Sequence, residues 1–168
     1  EHRLLMGMPR EPTIFDAVNR VCACRGVVIT PGGGHWLHAV VRIAKRAPDD
    51  GRAAIEAAFE GHTSLKHVVV VDDDVDATDP QAVEWAIATR FQASRDLVVL
   101  RNQPSSSLDP SAQHVPGEKA RTSKMGLDAT IPWDTPSGPS RPDDYRAVRY
   151  EPVDLARYLG GKGRDGCS

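Results

Sequence analysis

A chain of 168 residues is long enough to bury a core of its own as one domain. Its 21 basic and 23 acidic side chains nearly cancel, so its charge points to neither nucleic acid nor an anionic membrane surface as partner. No apolar run approaches the roughly 20 residues needed to span a bilayer. Three cysteines, of which Cys22 and Cys24 are one residue apart and Cys167 lies in a glycine-rich tail, cannot form a disulfide framework. That usage fits a reducing, cytoplasmic compartment.

The opening EHRLLMGMPREP lacks the apolar segment of a signal peptide. Because it starts at Glu1, it reads as a processed chain or a piece of a larger one. Ile14, Phe15, Val18 and Cys22 share one face of a predicted helix, which Gly26 ends, and Val27–Ile29 is predicted as a strand. Pro31–Gly34 breaks the chain before a second predicted strand, His35–Ile43, on which Trp36 and His38 share a face. A polar turn leads to Asp49 and Asp50, whose charge favours a helix N-terminus, and a short helix over Ala53–Phe59 ends at Gly61.

Four consecutive valines, Val68–Val71, read as a strand buried on both faces, as in a parallel sheet. Thr78-Asp79-Pro80 supplies a side-chain cap and a proline at the first helical position. Val83, Ile87 and Phe91 then recur as one apolar stripe. With a strand at Leu97–Leu100, the segment reads as a βαβ unit of about thirty residues with a right-handed crossover. Beyond it, eight of the thirteen prolines lie between Pro104 and Pro152. Their density predicts an extended arm in which Met125–Thr130 alone looks ordered. Val153–Leu159 is predicted as a short terminal helix that needs something to dock on, followed by a mobile tail. The expected fold class is α/β: a three-layer sandwich around a mixed sheet with a central βαβ unit. It would divide into a core over 1–103, a Pro-rich arm over 104–152, and a helix and tail over 153–168.

Several motifs carry candidate chemistry. The aspartates Asp72, Asp73, Asp74, Asp76 and Asp79 end a strand, where α/β folds place ligands and where magnesium or manganese would find oxygen donors. A calcium loop from Asp72 fails at Ala77, where glycine is needed, and at Val83, where glutamate is needed. The competing reading is a solvated turn with a helix cap. Pro31–Gly34 has no Gly-Lys-Ser/Thr after it, so it reads as a turn that lets another backbone approach rather than a phosphate cradle. His35 and His38 would point to opposite faces of a strand and have no acidic or cysteine partner nearby. Ser105–Pro110 follows a strand end, the place where α/β loops carry function. No serine there lies in a nucleophile elbow, so the loop reads as one that packs over a ligand. Lys124 is open to two readings, neutralising a phosphate or carboxylate, or simple solvation.

The runs SLKHVVVVDDDVD, DPQAVEWAIATRF, RDLVV, SSLDPSA and SKMGLDAT, in this order and spacing, resemble the UbiD family of decarboxylases. The upstream GMPREPTIFDAV and TPGGGHWLHAVVRIAKR look like the same family's approach to that core, so the resemblance covers about residues 7 to 133. The wording looks most like the shorter archaeal and bacterial members, among them the anhydromevalonate phosphate decarboxylases. The resemblance implies the C-terminal α/β domain of an enzyme that reversibly decarboxylates an unsaturated or aromatic acid on prenylated FMN. It also implies that the cofactor, with its divalent metal and potassium, and the catalytic glutamate-arginine-glutamate set belong to an upstream region or companion chain.

The portion in hand would then supply dimer contacts and one wall of the substrate pocket, with no catalytic residue of its own. By position, Ser105, Ser106, Ser107 and Leu108 match the stretch that reaches the pocket, where small serines replace the bulky aromatics of other members. Ser64 and Lys66 border the same pocket. Some members carry a basic residue a few positions earlier, facing the cofactor phosphate; here Glu60 stands there, which argues against direct phosphate contact. The resemblance also puts the Asp72–Asp76 cluster away from the family's metal. Two further readings stand beside this one: a non-catalytic dimerisation or assembly module, and a metal-dependent transferase using Asp72–Asp74.

Overall fold

A computed structural model describes residues 2–140, 142–146 and 153. The elements in chain order are helix α1 (His2–Gly7), helix α2 (Arg10–Asn19), strand β1 (Ala23–Ile29), strand β2 (His38–Ala44), helix α3 (Asp50–Gly61), strand β3 (His67–Asp72), helix α4 (Pro80–Arg90), the single turn α5 (Ala93–Asp96), strand β4 (Leu97–Pro104) and strand β5 (Arg121–Ala129). A small ladder of β6 (Asp134–Thr135) with β7 (Gly138–Pro139) follows. The main sheet runs β1-β2-β3-β5-β4. Its three inner strands β2, β3 and β5 are parallel, and the edge strands β1 and β4 are antiparallel to their neighbours.

The Val68–Val71 run is β3, buried at the centre of the sheet. On one face α2 and α3 bring Ile14, Val18, Ile55 and Phe59 against Val41, Val68 and Val70. On the other, α4 brings Val83 and Ala86 against Val40, Val69, Val71 and Ala129. Helices on both faces make this the mixed α/β arrangement expected. The α4 start is also as read: the Asp79 side chain accepts from the Gln81 amide at 2.9 Å, with Pro80 at the first helical position. Asp50 opens α3 and accepts from the Arg46 and Ala47 amides, closing the turn before the helix.

The crossover falls elsewhere than expected. The parallel βαβ unit is β2-α3-β3, while β4 runs antiparallel on the far side of β5. Residues 121–129, placed by proline density in an extended arm, instead form β5 and pair with both β3 and β4. Gly126 lets this happen, since a Cβ there would meet the Ile55 side chain of α3.

Two smaller expectations also shift. Gly26 does not end a helix but sits in β1 at a bulge, and Cys22 lies beyond the end of α2. The turn from Thr30 through Gly34 (φ 66°) and His35 (φ 55°) delays β2 to His38, so Trp36 is off the strand and shares no strand face with it. The helix expected over Val153–Leu159 and the tail after it lie outside the described residues, Val153 apart. No helix among the described residues is long and apolar enough to cross a membrane.

Candidate functional site

Because β4 is antiparallel to β5, its C-terminal end arrives at the edge where β2, β3 and β5 begin. Ser105 continues from it, its amide bonded to the Ala120 carbonyl at 2.8 Å, and the chain from Ser105 to Ser111 folds across that edge next to Lys66. The hub is Asp109, whose side chain is fully buried. One of its carboxylate oxygens accepts from Lys66 Nζ at 2.9 Å and from the amide and hydroxyl of Ser111 at 3.0 Å each. The other accepts from Ser105 Oγ at 3.3 Å. Burial opposes the charge on Asp109, but the bonds from Lys66 and Ser111 outweigh it and hold the carboxyl well below the usual carboxylate range. Lys66 Nζ also donates to Ser111 Oγ.

The four loop residues divide into two kinds. Ser105 and Ser106 are buried and act as staples. Ser106 Oγ accepts from Trp36 Nε1 and from the Leu108 amide, both at 3.1 Å. Ser107 and Leu108 are exposed at the tip. Leu108 joins Trp36, Leu37 and Met6 around an apolar recess over the Gly33-Gly34 turn. Ser64 is half-buried in the turn before Lys66. The structure therefore joins Lys66 to Ser105 through Asp109, which the sequence reading places in the loop but does not single out as a site residue. Its signal was present: an aspartate before proline with serine two residues on is an Asx-turn pattern.

Beneath this loop lie two buried basic groups. Lys124 is neither solvated nor paired with a carboxylate among the described residues; it is 3 % exposed and donates to the Thr63 carbonyl at 2.7 Å. Its ammonium also sits 5.1 Å over the Phe59 ring. Burial, and then the neighbouring Lys119 charge, push it down to about 8. His62 packs edge-on to Trp36 with ring centroids 4.6 Å apart, and its Nε2 is buried without a hydrogen-bond partner. Burial, and then the charge of Arg10, push its imidazole down to about 4.

The aspartate cluster lies at the opposite edge and is committed elsewhere. Arg90, 4 % exposed, bonds Asp72 at 2.9 Å and grips both oxygens of Asp74 at 2.8 and 2.9 Å. Asp72 also accepts from the Ile131 amide at 2.6 Å. Asp76 closes a turn onto Thr78, and Asp79 caps α4. No three His, Cys, Asp or Glu side chains converge to hold a metal among the described residues. The transferase reading, which needs Asp72 and Asp74 free for a cation, is withdrawn. The cluster is not a merely solvated turn either, since Asp72 and Asp74 anchor a buried arginine. At the glycine run, Gly33 packs against the backbone of His38, the close approach expected there, and His38 Nδ1 lies 2.9 Å from Thr30 Oγ1. Among the described residues, the side chains present do not fit a divalent metal.

Comparison with known proteins gives a consistent family. The profile of the 3-octaprenyl-4-hydroxybenzoate carboxy-lyase C-terminal domain matches residues 3–129. The chain is 54% identical over 142 residues to an anhydromevalonate phosphate decarboxylase of Aeropyrum pernix, covering 84% of this chain and 31% of that protein. Among solved structures, the UbiD-class enzyme HmfF of Pelotomaculum thermopropionicum in complex with FMN superposes with a TM-score of 0.77 at 36% identity, over 94% of this chain and 34% of that one. An evolved dimeric form of the same enzyme, in complex with prFMN, superposes with a TM-score of 0.67 at 33% identity, over 94% of this chain and 31% of that one. The chain thus spans about a third of the length of the relatives it matches, and over that span it belongs to the UbiD carboxy-lyase family as its C-terminal domain.

Proposed function

We propose that this chain works as the C-terminal domain or subunit of a prenylated-FMN-dependent decarboxylase acting on an unsaturated or aromatic carboxylic acid in the cytoplasm. Prenylated FMN, a divalent metal and potassium would be held by an upstream region or companion chain, and this portion would be inactive alone. Its own contribution is one wall of the substrate pocket, formed by Ser64, Lys66, Ser105, Ser106, Ser107 and Leu108, together with contacts in a homo- or hetero-oligomer. The observation that carries the reading is the loop anchored on Asp109, which holds Ser107 and Leu108 exposed beside an apolar recess in a chain of this family. A fixed loop tip is what a pocket wall requires, because a wall that moves cannot discriminate between substrates.

An assembly role is favoured by a second observation. Leu97 and Val99 are 37% and 48% exposed on the edge strand β4, opposite Leu127 and Met125 in register, an apolar stripe of the kind that subunit contacts cover. The test is reconstitution: decarboxylation by the cofactor-loaded region, measured with and without this chain, and with Leu108→Trp in its place. Activity that requires the chain, with KM changed by Leu108→Trp, is expected. Activity indifferent to both overturns the reading.

A further inference from the structure

The register of the main sheet brings together three side chains from distant parts of the chain. Strands β2 and β3 pair His38 with His67, and β3 and β5 pair His67 with Met125. Partners in register share a face of the sheet and stand about 4.8 Å apart from strand to strand, so the three form a row where the parallel strands begin. His67 lies two residues before Val69, which puts the row on the α4 face. All three are half-buried, and α4 packs on the rungs beyond them through Val69, Val71 and Ala129. The row continues to Val99 on β4 and carries no carboxylate. Lys66, the chain neighbour of His67, is paired with Asp109. The two imidazoles stand edge to face with ring centroids 6.4 Å apart.

We infer that His38, His67 and Met125 bind a cuprous ion, the two imidazoles as principal ligands and the thioether as the third. The spacing of the rings decides between metals. With a metal–nitrogen bond of ~2.0 Å the ion sits about 3 Å from each ring centroid, so a linear pair of imidazoles spans about 6 Å and a tetrahedral pair only about 5 Å. The observed 6.4 Å matches the linear arrangement that monovalent copper accepts, not the tetrahedral one that zinc requires. Imidazole with thioether, and no carboxylate, is also the donor set that selects copper(I). One ring is already oriented. Thr30 Oγ1 lies 2.9 Å from His38 Nδ1 and accepts from the Gly33 amide at 3.2 Å. With that oxygen accepting from Nδ1 as well, Nε2 of His38 is the nitrogen left for the metal. His35, three residues away in sequence, takes no part, since it sits in the turn before β2. The bound ion would tie the three inner strands together, and the inference is independent of the decarboxylase reading.

The experiment is an anaerobic NMR titration of the whole chain with copper(I), and with silver(I) as its redox-stable counterpart. It follows the imidazole nitrogens and the methionine methyl groups, while the cysteine Cβ resonances report uptake by thiols in the same spectra. A saturable response at the rings of His38 and His67 together with the Met125 methyl is expected. His67→Gln or His38→Gln should weaken it at least about ten-fold, Met125→Leu should weaken it less, and His35→Gln should leave it unchanged. Metal taken up at the cysteines with the His38 and His67 rings unmoved overturns the site, as does an equal response in His67→Gln. Zinc(II) held at these rings as tightly as copper(I) overturns the assignment to a monovalent ion. The wild-type spectra are resolved residue by residue, so they decide the matter even where a variant fails to fold.

Discussion

Lys66 and Asp109 meet at 2.9 Å across the edge of the sheet, and the aspartate has no contact with solvent. Removing Lys66 strands a fully buried carboxylate, and removing Asp109 leaves a half-buried ammonium without its partner. Asp109→Asn is therefore expected to cost roughly 2–4 kcal/mol of folding stability and to speed hydrogen exchange of the amides from Ser105 to Ser111. The acid side gives a second readout. The native carboxyl of Asp109 is depressed, so its contribution is complete above the ordinary carboxylate value of about 4 and is lost as pH falls below it. Urea midpoints measured from pH 5 down to pH 2 should fall more steeply for the wild type than for Asp109→Asn.

Lys124 acts with the opposite sign. Its native value of about 8 lies below that of a free lysine, so the folded state carries a penalty at neutral pH that is relieved as pH rises from about 8 to about 10.4. Lys124→Met should be more stable than the wild type at pH 7, by up to roughly 3 kcal/mol, with the advantage vanishing by pH 10. Taking the difference between the two proteins isolates the lysine from Cys22, whose thiol burial pushes up to about 11 and which destabilises over the same alkaline range.

His62 governs the window between these two. With its imidazole pushed down to about 4, the neutral ring is the folded form, and its contribution is complete above about 6.5 and lost as pH falls from there towards 4. Melting temperatures at pH 7 and pH 5 should differ in the wild type, and His62→Phe should shrink that difference.

At the opposite edge, Arg90 holds Asp72 and Asp74 through three bonds between 2.8 and 2.9 Å. Arg90→Lys cannot reproduce that fork and should cost roughly 2–4 kcal/mol. If the two aspartates serve the arginine, magnesium or manganese added to the wild type leaves Tm unchanged. A saturable rise in Tm with either ion would restore a metal role.

What the residues announce and what they conceal divides along the range of the interactions. Val68–Val71 and the Asp79-Pro80 cap are local patterns, and β3 and the start of α4 form where those patterns say. The order of strands is not local. Leu97–Leu100 has the apolar character of a partner for β3, yet that place goes to Arg121–Ala129, which carries a lysine and a glycine at sheet-interior positions. Gly126 is there because Ile55 packs where a side chain would stand, and Lys124 because it reaches the Thr63 carbonyl; both reasons come from segments more than sixty residues upstream. The site follows the same rule. The exposed tip of the serine loop was readable from its position after a strand, but Asp109 became its hub only through Lys66, 43 residues away.

On the function proposed above, this chain operates with a flavin-bearing region or companion chain of its own family. Native mass spectrometry of the protein purified from its own host, with an absorbance spectrum on the same sample, tests it most directly. Recovery of these residues on, or bound to, a larger polypeptide with a flavin spectrum is expected. Recovery only as a colourless assembly of this chain with itself would contradict it.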